Sequence, residues 1–216
     1  MVADTLANGT RAAHDVGLAA WLGGAMFGKF ALNPSLEKIS SPRERGSVSN
    51  AAWNGYNAVN AAGLGAAALG WGAARLTEAK PANLSAPERA LAQAKDGLMA
   101  AAVLTGIANG VQGARLARQA PDGAVPVETG TKPSTETPAK AARIQRSLGV
   151  LGNLNIAAGV ALIAVNAVLA QINHSHPAKR RALTRSSSNG SRSPLWIGSA
   201  VATATALVDE GRRRLG

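Results

Sequence analysis

The chain has 216 residues, no cysteine, a formal net charge of +11 and only 3% aromatic residues. The missing cysteines exclude a disulfide framework, a thiolate metal site and a cysteine nucleophile. With 24 glycines, abundant alanine and so few rings, a water-soluble core would lack bulk, whereas helices in a bilayer pack closely through small residues.

The first ten residues, MVADTLANGT, put no basic segment ahead of an apolar run, so no removable signal peptide is expected. A first helix is predicted to start after Asn8 or Thr10, either of which can cap it, and to stop at Pro34, which disfavours helix at Asn33. Its residues 16–32 carry a single charge, Lys29, and cover roughly 25 Å, close to the ~30 Å of a hydrocarbon core. Lys29 lies one turn from the end, where a long stem lets its ammonium reach the interface.

Ser41-Pro42-Arg43-Glu44 has the capping-box form with proline in the first turn and opens a second helix. Residues 46–74 are uncharged, and Trp53, Tyr56 and Trp71 are spaced as interface anchors. Ser85-Ala86-Pro87-Glu88 repeats the start signal for a third helix, with a polar opening, ERALAQAKD, before the uncharged residues 97–114. Residues 119–137 hold Pro121, Pro126 and Pro133 without apolar periodicity and read as a flexible loop. Thr137-Pro138 opens a fourth helix, whose uncharged residues 147–173 are the most apolar of the set. A basic, serine-rich loop at 177–193 follows, then a short apolar helix within 194–216. Its fourteen uncharged residues, 195–208, are short for a span and read as an interfacial or re-entrant helix, or a tilted fifth span.

The expected fold is therefore all-α, a polytopic transmembrane bundle of four spans over residues 1–176 plus the C-terminal helix. The balance of Lys and Arg between the two sides places both termini in the cytoplasm. The glycine and alanine content points to a GC-rich bacterium and hence its inner membrane, with the bilayer, anionic lipids included, as surroundings. The contrary possibility, a chain that never enters a membrane, rests on alanine's weak insertion tendency and the four asparagines of helix two.

Small residues four apart mark three packing faces: Ala20, Gly24 and Gly28; Ala62, Ala66 and Gly70; Ala102, Gly106 and Gly110. Amides recur within the apolar stretches, and Asn54, Asn57, Asn109 and Asn166 are expected to face a polar interior, as interhelical glue or as the lining of a solute path. His14, His174 and His176 fall on one membrane face in a four-span topology and form a candidate metal set, since imidazole suits copper, zinc or haem iron.

The pattern His14, six residues, Trp21, Gly23-Gly24, then Phe27 and Pro34, resembles the first helix of the copper-resistance D-type family and related small four-helix bacterial membrane proteins. The resemblance implies an inner-membrane bundle that handles copper or haem, with His14 in a ligand position. The chain departs from a Cu(I) thioether site in having Met26 and Met99 as its only internal methionines.

No Ser-His-Asp order, phosphate loop or intramembrane carboxylate pair is present, so an enzyme is not expected. The leading functional expectation is an accessory or scaffold protein that packs against another membrane protein or against itself. The alternatives are metal or haem handling and small-solute or ion transport.

Overall fold

The computed structural model describes residues 2–120 and 124–175. The basic loop at 177–193, the helix expected within 194–216 and His176 lie outside the described residues. Four long helices make up the described chain: α1 (Val2–Phe27), α2 (Pro42–Leu76), α3 (Ala86–Ala117) and α4 (Ala139–Ser175). Among the described residues the only β-type pairing is an isolated bridge between Val127 and Pro133. Two of the helices, α3 and α4 up to Ile172, are long and apolar enough to cross a membrane.

The caps follow from the local sequence. Ser41 Oγ accepts the Glu44 backbone N–H at 3.3 Å, and Ser85 forms a full capping box in which its own backbone N–H donates to Glu88 Oε2 at 2.9 Å. These bonds satisfy orphan donors of the first turn. The first helix departs from expectation at both ends. It is already helical at Val2, running straight through Asn8 and Thr10, because alanine and leucine there favour helix over a polar cap. Pro34 does not end it either. A π-helical turn, Gly28–Leu32, precedes the proline, with the Asn33 N–H bonded to Gly28 O, and helix resumes through Asn33–Ser35 and a 3-10 turn at Leu36–Lys38. The wider turn makes room for the proline ring, which would collide with the carbonyl four residues back in a regular helix.

Neighbours along the chain run antiparallel. α1 packs along α2, α3 packs along α4, and the two pairs join through α1 with α4 and α2 with α3. Trp21 is fully buried where the pairs meet; a Cβ on Gly63 of α2 would touch the Trp21 Cβ, and one on Gly159 of α4 would meet its ring. Leu18, Leu22, Ala67, Trp71, Met99, Ile156 and Leu162 complete the core around it.

The proline-rich connection, expected without structure, folds over the far end of the bundle where it is described. Val125 and Val127 are buried, Val127 N–H donates to Pro42 O at 2.9 Å, and Thr137 Oγ1 donates to Pro126 O at 2.6 Å. Two alternating valines supply the apolar contact that the composition of the segment hides.

Candidate functional site

Charged and amide side chains from all four helices meet near the N-terminal end of α1. On α3, the buried stripe Glu88, Ala92, Lys95, Met99 and Ala102 advances by three or four residues at a time, which points Lys95 into the bundle. Lys95 is only 2% exposed. Its ammonium lies 4.1 Å from the ring centroid of Trp71 on α2 and donates to Asn166 Oδ1 on α4. A cation over an indole face is attracted by the ring quadrupole, and the attraction grows when water is excluded.

From this centre the network extends in both directions. Asn166 Nδ2 donates to Asp15 Oδ1 on α1 at 2.9 Å. Trp71 Nε1 donates to Asp96 Oδ1 at 2.8 Å, and Asp96 also receives Arg75 at 3.1 Å. Lys95 thus feels the carboxylates of both Asp15 and Asp96. Nearer the bundle end, Arg11 forms a bidentate pair with Glu78, and that hydrogen-bonded carboxylate keeps the guanidinium's pKa raised against the opposing effect of desolvation.

His14 stands beside this layer, 4% exposed. Its Nδ1 lies 2.6 Å from Ala67 O, and because a carbonyl can only accept, Nδ1 carries a proton and donates. Among the described residues Nε2 is buried without a hydrogen-bond partner. The contact is possible because Gly70 leaves space against the His14 Cβ. Among the described residues no group of three His, Cys, Asp or Glu side chains is placed to hold a metal. His174 sits in the last turn of α4 with its side chain outside the described residues, as is His176.

The other sequence-derived positions scatter. Asn166 is in the charged layer. Asn109 is half-buried on α3, far toward the opposite end, while Asn54 and Asn57 are exposed on α2. The four therefore do not line one interior. Asn155, fully inside the bundle, is instead the amide that bridges α4 to α3, donating to Ala102 O at 3.1 Å and Thr105 Oγ1 at 2.8 Å. Gly24 and Gly28 receive the rings of Tyr56 and Trp53, Gly106 receives the Leu64 side chain, and Gly110 faces open space. Lys29 is half-buried in the π-helical turn. The expected interface anchors are turned inward: Tyr56 hydroxyl donates to Ala20 O at 2.6 Å, and Trp71 is 8% exposed.

Sequence reasoning missed Lys95, Asp96, Arg75 and Glu78 as members of the layer, and read Trp71 as an interface anchor rather than as the ring under the Lys95 ammonium. For Lys95 the signal was present in the spacing of Leu91, Lys95, Met99 and Ala102, which puts the lysine on the apolar face of a stretch otherwise read as polar.

Comparison with known proteins finds no match among family models, curated proteins or solved structures.

Proposed function

We propose that the chain is a multi-pass protein of a bacterial cytoplasmic membrane, with a non-enzymatic accessory or scaffold role and four spans. The observation that carries this reading is a reversed partition of polarity. Leu104, Ile107, Val111, Val150 and Leu154 are exposed on α3 and α4, whereas Lys95 and Asn155 are buried and hydrogen-bonded across the two helices. Of the apolar segments in those two helices only 11% and 28% lies buried. Water would penalise both halves of that arrangement, and lipid favours the first while making paired interior polar groups cohesive. α1 and α2 pack against the apolar pair and expose Val16, Phe27, Val59 and Leu69, which supports their crossing with it.

The charged layer fits a scaffold because its bonds join different helices and fix their register, a role attested for buried polar groups. The same layer favours a second reading, passage of protons or small ions, since buried ionisable groups within membranes often line such paths.

Membrane fractionation tests localisation: the protein should remain in the pellet after alkaline carbonate, and release would overturn the reading. Single cysteines at Lys132 and Gly216 should label from opposite faces; labelling from one face overturns four spans. Proteoliposomes loaded with a pH-sensitive dye separate the two functions. No flux beyond protein-free vesicles supports the accessory role, and a flux abolished by Lys95→Met replaces it with ion passage.

A further inference from the structure

At the opposite end of the bundle from the charged layer, where α3 gives way to α4, lies a cleft of about 420 Å³ lined by Arg115, Arg118, Gln119, Lys140 and Ile144. Three of its five lining residues are basic, and they line it mostly with their apolar stems. Among the described residues no carboxylate lines it, and the first turn of α4, which begins one residue before Lys140, carries no acid. Among the described residues none of the three cations has an ion-pair partner. Arg115 makes a long bond to Gln112 Oε1 at 3.4 Å, and Gln119 folds back to donate to Arg115 O at 3.3 Å. The positive end of the α4 dipole adds to the same potential.

The helix below the cleft is apolar in register with it. Leu104, Ile107, Val111, Arg115 and Arg118 follow one another at intervals of three or four residues and so share one face of α3. Leu104 and Ile107 are 66% and 59% exposed. From Leu104 to Arg115 the helix rises about 16 Å, about half of a ~30 Å hydrocarbon core. An apolar track of one leaflet's depth therefore ends at a three-cation cleft.

We propose that this cleft binds the phosphate headgroup of an anionic phospholipid, with an acyl chain lying along Leu104, Ile107 and Val111. The proposal rests on the membrane reading above. Arginine supplies planar donors matched to phosphate oxygens, and Lys140 supplies a point charge. The apolar track selects the lipid over free phosphate, which has nothing to place against it.

The test uses the full chain in nanodiscs of phosphatidylcholine containing one fifth phosphatidylglycerol, with the lipid retained after transfer to detergent counted by native mass spectrometry. The Arg115→Gln, Arg118→Gln, Lys140→Gln variant should retain about tenfold less phosphatidylglycerol than the parent chain. A control that removes as many charges at the same end, Lys38→Gln, Arg43→Gln, Lys132→Gln, should retain it as the parent does. Equal retention by the cleft variant, or equal loss in the control, overturns the site. Displacement of the lipid by millimolar inorganic phosphate overturns the lipid in favour of a soluble anion. Carbonate extraction of cell membranes carrying the parent chain and the variants reads the membrane assignment separately: protein in the pellet with no lipid preference sinks this proposal alone, and protein in the supernatant sinks both.

Discussion

The two halves of the bundle are held by different means. Along α1 and α2 the backbones themselves approach: a Cβ on Gly17 would lie 2.5 Å from Gly63 O, and one on Gly63 would lie 2.9 Å from Gly17 O. Farther along the same seam, glycines accept the rings of Tyr56 and Trp53. Along α3 and α4 most glycines, including Gly97, Gly110, Gly113 and Gly152, face open space. That pair is joined instead by side-chain bonds, Asn155 to Thr105, Gln112 to Ser147 and Lys95 to Asn166. Close backbone packing gains dispersion without large apolar groups at the glycine seam between α1 and α2. The second pair turns its branched side chains outward and satisfies its few interior polar groups across the interface.

Each of these means can be broken separately, with stability read by thermal unfolding of the purified protein in detergent. Trp21→Ala removes the side chain shared by both pairs and should cost about 4 kcal/mol, separating the halves before either unfolds. Gly17→Leu drives a branched side chain into the Gly63 backbone and should cost about 3 kcal/mol. Gly110→Leu, equal in chemistry but facing open space, should stay within about 0.5 kcal/mol of the parent. Comparable losses from the two glycine changes would show that backbone approach is not special to the first pair. Asn166→Leu leaves the Lys95 ammonium and the Asp15 carboxylate without their shared partner and should cost about 2 kcal/mol; a neutral result would mean that the charged layer does not hold the pairs together. Tyr56→Phe loses one bond, to Ala20 O, and should cost about 1 kcal/mol.

Legibility in the sequence tracked the range of the interaction. The starts of α2 and α3 depend on residues three apart, Ser41 with Glu44 and Ser85 with Glu88, and could be read directly. The inward face of α2 could not. Asn50, Asn54 and Asn57 share one side of the helix, but small residues fall on every side of so alanine-rich a segment. The face that is buried, Gly46, Ser49, Gly63, Ala67 and Trp71, is chosen by long-range fit: Gly63 and Ala67 to α1, Gly46 to Val125 and Trp71 to α3. No large apolar stripe announces it, so Asn54 and Asn57 are left outside.

Helical character and the polar caps that open α2 and α3 were legible in the sequence alone; of the four spans expected from it, α3 and α4 are long and apolar enough to cross a membrane. All of these are set within a few turns of one helix. Tertiary structure alone decided that Trp71 and Tyr56 face inward and that Lys95 becomes the centre of a charged layer. The bonds responsible join residues 71 and 151 positions apart, Lys95 with Asn166 and Asp15 with Asn166. A buried charge is tolerable only where its partners converge, and that convergence exists only once all four helices are in place.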